Sequence, residues 1–159
     1  MNDREFFLAR RQAEYPAFHN VLKALPSDRM DYKAHERSPS AQQIAWTITQ
    51  ELGAAIELCD TAETRFPTAP APALDAMIAQ FEKDYAGLEE RVRKMDDAAW
   101  TKTGQLKSGG KVVMETPVGE FLWYLFFDAI HHRGQLAAYL RPMGGKVPAI
   151  YGPSADTKR

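Results

Sequence analysis

The chain has 159 residues, 45% of them hydrophobic, which suits one ordinary domain able to bury a continuous core without disulfide staples. Its 20 basic and 21 acidic residues leave a net charge of −1 with no Lys- or Arg-rich stripe, which argues against nucleic acid as a partner. The opening MNDREFFLARR lacks the apolar core of a signal peptide, and no stretch approaches the roughly 20 apolar residues that span a bilayer, so the expectation is a cytoplasmic chain that does not use a membrane.

Over residues 3–25, Phe6, Phe7, Ala13, Ala17, Phe18, Val21 and Leu25 recur at three- and four-residue intervals, predicting an amphipathic helix that Pro16 kinks. Pro26 and Ser27 end the pattern, and residues 28–38 read as a polar connection. Ser40 and Gln43 have capping-box spacing and open a second helix running to about residue 65. Cys59, the only cysteine, reads there as a small buried apolar residue rather than a nucleophile. Pro67, Pro70 and Pro72 break the helical pattern, after which Leu74, Met77, Ile78, Phe81, Tyr85, Leu88 and Val92 trace a third helix ending near Met95.

Residues 101–115 carry three glycines and the β-prone run Val112-Val113-Met114, giving either a long ordered loop or a small hairpin. Thr116 and Pro117 fit the N-cap and first-turn positions of a fourth long helix reaching Arg141, stopped by Pro142 and the Gly144-Gly145 pair. Val147, Pro148, Ile150 and Tyr151 then form an extended tail that docks on the helices. Four long amphipathic helices and no comparable strand pattern predict an all-α four-helix bundle, with helix order left open by the connection lengths.

Polar residues interrupt two of the apolar stripes. On the last helix, Phe121, Leu125, Asp128, His132, Leu136 and Tyr139 share one face; on the second, Ile44, Thr47, Glu51, Ala55 and Leu58 do. A buried carboxylate is costly unless paired, protonated or bound to a cation, and Glu51 beside Asp128 adds mutual repulsion that a divalent ion would relieve. Asp128 and His132, four residues apart, have the spacing of two ligands on one helical face. The competing reading is a hydrogen-bonded polar spot in which Asp128 accepts from His132 or an arginine. His131 points roughly a hundred degrees away from His132, toward a helix seam or subunit interface, while His19 and His35 lack polar company. Arg133 and Gln135 are placed to contact the loop or tail, Arg133 through a salt bridge or by gripping an anionic substrate.

The run DAIHHRGQLAAYLR over residues 128–141, followed by VPAIYGP over 147–153, resembles the C-terminal signature of the DinB/YfiT-like superfamily, and IAWTI over 44–48 with Glu51 resembles its second-helix motif. The resemblance spans nearly the whole chain and implies a DinB-like four-helix bundle over residues 1–159. It also implies a divalent metal, often nickel or zinc, held by one histidine of the second helix and two spaced by four on the last. Here those positions align with Thr47, Asp128 and His132, so only His132 is an unchanged ligand. Glu51, one turn beyond Thr47, can take the vacated place as ligand or general base, with Thr47 positioning water or substrate. Two carboxylates with one imidazole suit harder cations such as manganese, iron(II) or magnesium better than nickel or zinc.

The activity implied is metal-assisted hydrolysis or transfer of a low-molecular-weight thiol on a small-molecule substrate. The alternative is a metal-free bundle in which Thr47, Glu51, Asp128 and His132 form a hydrogen-bond network or ligand pocket. Trp123, Tyr124 and Phe127, off the main stripe, predict a homodimer under either reading.

Overall fold

The computed structural model describes residues 1–65 and 68–157, so Pro67 of the proline-rich connection lies outside the described residues. The element order is α1 (Asp3–Lys23), a 3-10 turn (Ser27–Arg29), α2 (Ala41–Thr61), β1 (Glu63–Thr64), α3 (Leu74–Lys94), α4 (Asp97–Thr101), β2 (Thr103–Ser108), β3 (Lys111–Pro117) and α5 (Val118–Leu140). The four long helices stand where periodicity puts them. The expected all-α class is corrected, because β1, β2 and β3 form a small sheet and α4 adds a fifth, short helix.

The local causes of these elements are visible. Asn2 and Glu5 close a capping box on α1, and Ser40 with Gln43 closes the expected one on α2: the Gln43 N–H donates to Ser40 Oγ at 3.2 Å and the Ser40 N–H to Gln43 Oε1 at 2.8 Å. Helix α2 stops at Thr61 rather than near residue 65, where Ala62 enters the left-handed region at φ 61° and its N–H caps Leu58 O at 2.8 Å. The chain then runs straight into β1. On α5 the cap is displaced by one residue: Pro117 occupies the N-cap position and Val118 begins the helix, while the Thr116 hydroxyl donates to Glu120 Oε2 at 2.8 Å.

Residues 101–115 resolve as the hairpin alternative. Strands β2 and β3 pair antiparallel with an irregularity between Leu106 and Lys107, and the turn at Gly109 and Gly110 has φ 56° and 78°, values natural only to glycine. Strand β1 adds in parallel through Glu63 to Gln105 and Thr64 to Leu106. Strand β1 is only two residues long and the central strand β2 is mostly polar, so neither gives an alternating signal comparable with the helices.

In the bundle, α2 packs against α3 and α5, and α1 packs against the same two, so α1 lies diagonally from α2 and α3 from α5. All seven apolar residues expected on α3 are buried. The inner face of α1 differs from expectation: Phe6 and Ala13 face outward, and Arg11 goes inside with Phe7, Ala17, Phe18, Val21 and Leu22. No described helix is long and apolar enough to cross a membrane.

Candidate metal centre

Side by side, α2 and α5 bring together the polar interruptions of their stripes. Glu51 is buried at 2%, with Ile44, Ile48, Ala55 and Leu58 around it on α2, and Phe121, Leu125, Leu136 and Tyr139 are buried on α5. His132 and Asp128 are only partly enclosed, their side chains 19% and 37% exposed, so the expected burial of Asp128 is corrected to a half-open position. Glu51, Asp128 and His132 each direct one ligand-type atom into a cluster whose members all lie within 4.8 Å of one another.

Within the cluster, His132 Nε2 lies 3.7 Å from Asp128 Oδ2 and 3.9 Å from Glu51 Oε1, too far for hydrogen bonds. On the far side of the ring, Nδ1 meets Gln135 Oε1 at 2.8 Å. An amide oxygen only accepts, so Nδ1 carries a proton, which in the neutral form of the ring leaves the Nε2 lone pair facing two carboxyl groups. Such a meeting of acceptors calls for a proton or a cation between them. Glu51 Oε2 is likewise buried without a hydrogen-bond partner. Burial above all, then the adjoining Asp128 by hydrogen bond and charge, pushes the Glu51 carboxyl up to about 10, so the metal-free protein keeps it protonated at neutral pH. The unpartnered oxygen, the inward lone pair and the O, O, N donor set fit a divalent cation.

Thr47 is half-buried one turn before Glu51, and its hydroxyl donates to Gln43 O at 2.9 Å. Its proton is thus committed, and it has only lone pairs to offer a water or substrate. Gln135, expected to reach the loop or tail, instead orients His132; its place one turn along the same helix is the signal that identifies it.

His131 is exposed in this chain rather than set in a helix seam. His19 has polar company after all, its Nε2 lying 2.7 Å from Glu82 Oε1, and His35 Nδ1 accepts from the Arg37 N–H at 3.2 Å. Arg133 is buried, forms a salt bridge with Glu14 and donates to the Tyr151 hydroxyl at 2.6 Å, tying the tail to α1 and α5. Cys59 is half-buried, and burial pushes its thiol up to about 12, which removes it as a nucleophile at neutral pH.

The comparisons place this architecture among known proteins. A Bacillus subtilis (strain 168) protein described as uncharacterized protein YrdA is 26% identical over 156 residues, covering 96% of this chain and 90% of that one. A DinB-like protein from Bacillus cereus ATCC 10987 superposes with a TM-score of 0.75 at 21% identity, covering 92% of this chain and 97% of that one. A mycothiol-dependent maleylpyruvate isomerase superposes with a TM-score of 0.61 at 16% identity, covering 89% of this chain and 61% of that one. The DinB family model matches residues 1–158, nearly the whole chain with its helical frame and the cluster between α2 and α5, and the chain belongs to the DinB family.

Proposed function

We propose that this DinB family protein is a divalent-metal-dependent enzyme, with Glu51, Asp128 and His132 as its ligands, acting in hydrolysis or in transfer of a low-molecular-weight thiol. The observation that carries the reading is the unsatisfied interior of the cluster: a buried carboxyl oxygen without a partner beside an imidazole nitrogen 3.7 and 3.9 Å from two carboxyl groups. Glu51 shares a hydrogen bond with Asp128, but a closed network, the metal-free alternative, would also engage the Glu51 Oε2 and the His132 Nε2.

When bound there, a divalent ion supplies Lewis acidity and lowers the pKa of a water or thiol. The chain's own residues do the rest. Gln135 holds Nδ1–H and so fixes the tautomer that turns Nε2 inward. Asp128, half-exposed, marks the side from which solvent and substrate reach the cluster. Thr47 offers acceptor lone pairs one turn from Glu51, the placement expected of a residue that orients a proton-bearing nucleophile. Two carboxylates and one imidazole favour manganese or iron(II) over nickel or zinc. The fold shared with the mycothiol-dependent isomerase is consistent with a thiol substrate and does not select it over hydrolysis.

The test is metal content by inductively coupled plasma mass spectrometry on untagged protein purified without chelator, comparing wild type with His132→Ala. Stoichiometric divalent metal in the wild type, lost in the variant, is the expected result. Metal-free wild type that also fails to take up added manganese, iron(II), nickel or zinc overturns the proposal.

A further inference from the structure

Among the described residues, the buried side-chain nitrogen and oxygen atoms without a hydrogen-bond partner are Arg4 Nε, Arg11 Nε, Arg133 Nε and Glu51 Oε2. The arginine atoms are donors, and the carboxyl oxygen is the acceptor among them. Arg4 and Arg133 rest against carboxylates, those of Asp97 and Glu14. Arg11 of α1, 2% exposed, instead lays its guanidinium carbon 4.0 Å from the centre of the Tyr85 ring and donates from Nη2 to Tyr85 O at 3.0 Å. Arg11 and Glu51, from diagonally placed helices, line one interior cavity.

The cavity measures about 20 Å³, and apart from Tyr85 its other walls are aromatic and aliphatic. A buried water needs about 10–15 Å³ and two to four polar partners, so there is room for one water or for two in file. The partners have complementary senses. A guanidinium only donates, the Tyr85 hydroxyl spends its proton on Arg11 O and keeps only lone pairs, and Glu51 Oε2 accepts. Water that accepts from Arg11 thus has its own protons to give to Glu51 and Tyr85. Of the two Glu51 oxygens, Oε1 is the one that lies 3.9 Å from His132 Nε2. Water at Oε2 and a cation among Oε1, Asp128 and His132 therefore do not compete for one atom.

We infer that ordered water in this cavity links Arg11 Nε to Glu51 Oε2, and that Arg11 is a positioning residue for the metal centre. Its donor, passed on through the water, holds Oε2 as an acceptor and fixes the carboxyl plane, leaving Oε1 for the cation. The positioning role rests on the metal-dependent reading of the cluster, whereas the water link stands without it.

Two measurements test this. Crystals of chelator-treated wild type should show ordered water within hydrogen-bond distance of Arg11 Nε that reaches Glu51 Oε2 directly or through a second water. A cavity without such density, or water that touches only one of the two residues, overturns the link. Manganese titration by calorimetry should give Arg11→Met an affinity about 10–100-fold weaker than wild type, the loss typical of an outer-shell partner, with Arg11→Lys recovering part of it. Phe81→Leu, which loosens the same wall without touching its polar groups, should stay within about twofold of wild type. Folded Arg11→Met with wild-type affinity, or Phe81→Leu weakened as much as Arg11→Met, overturns the positioning role. Should Arg11→Met fail to fold, Arg11→Lys against Phe81→Leu makes the same comparison. Wild type that takes up no manganese, iron(II), nickel or zinc removes the metal reading and the positioning role with it, and the crystal density still decides the link.

Discussion

At the scale of the residue, Glu51 sets the pH response of the metal-free protein. Its folded pKa of about 10 stands above the ordinary 4.5, so the folded state binds the proton more tightly than the unfolded chain does. The stability this contributes is fully present below about pH 4.5, declines across the window between the two values, and is lost above about pH 10. Chelator-treated wild type should therefore lose Tm from pH 6 to pH 9 more steeply than Glu51→Gln, which is neutral throughout. Equal slopes in the two proteins would mean that Glu51 is ionised in the folded state. Metal binding runs in the opposite sense, since the ion must displace the Glu51 proton and gains affinity as pH rises. Spacing alone placed Asp128, His132 and Glu51 on inward stripes, but the partner of His132 Nδ1 and the half-exposure of Asp128 depend on rotamers and neighbours that no spacing encodes.

At the scale of the element, the start of α5 rests on a close fit. A Cβ built on Gly119 would lie 2.3 Å from Trp100 Cε2 and 2.4 Å from its Nε1. The indole is held in place, its Nε1 donating to Asp3 Oδ2 at 3.1 Å and its ring packing 5.6 Å from the Phe7 ring. It cannot retreat without breaking those contacts. Gly119→Ala gains about 1 kcal/mol of helix propensity and meets an overpacking cost of about 1–3 kcal/mol or more, so a lowered Tm is expected. A variant as stable as wild type would show that the indole yields freely. Gly119 permits this approach of α4 to α5, and nothing in the helical period of α5 reveals it. The hairpin before it was legible only as an alternative, because Gly109 and Gly110 mark a turn while the polar stretch that becomes β2 does not mark a strand.

At the scale of the whole molecule, an apolar groove runs along the seam of α1 and α5, lined by Phe6, Trp123, Phe126, Phe127 and Ile130 with Asp3, Arg10 and Glu14 among them. Phe127 is 61% exposed, whereas Trp123 is anchored inward, its Nε1 donating to Asp3 Oδ1 at 3.0 Å. If a second copy covers this face, Phe127→Asp shifts sedimentation toward monomer while leaving Tm of the monomer nearly unchanged. Wild type that sediments as a monomer at high concentration removes the dimer reading. Trp123→Ala is the poorer probe, since it also strips contacts from Phe7 and Phe126.

By itself the sequence determined the four long helices, the Ser40 cap, the apolar faces of α3 and α5, and the inward placement of Glu51 and His132. These follow from a helical period that each segment carries within itself. Tertiary structure alone decided that α1 and α2 sit on a diagonal, that a three-stranded sheet caps the helices, and that Arg11 rather than Phe6 enters the core. Which side of a marginal stripe is buried depends on what the other helices bring to it, and a guanidinium four residues from Phe7 is drawn inside because Tyr85 of α3 offers it a carbonyl and an aromatic face.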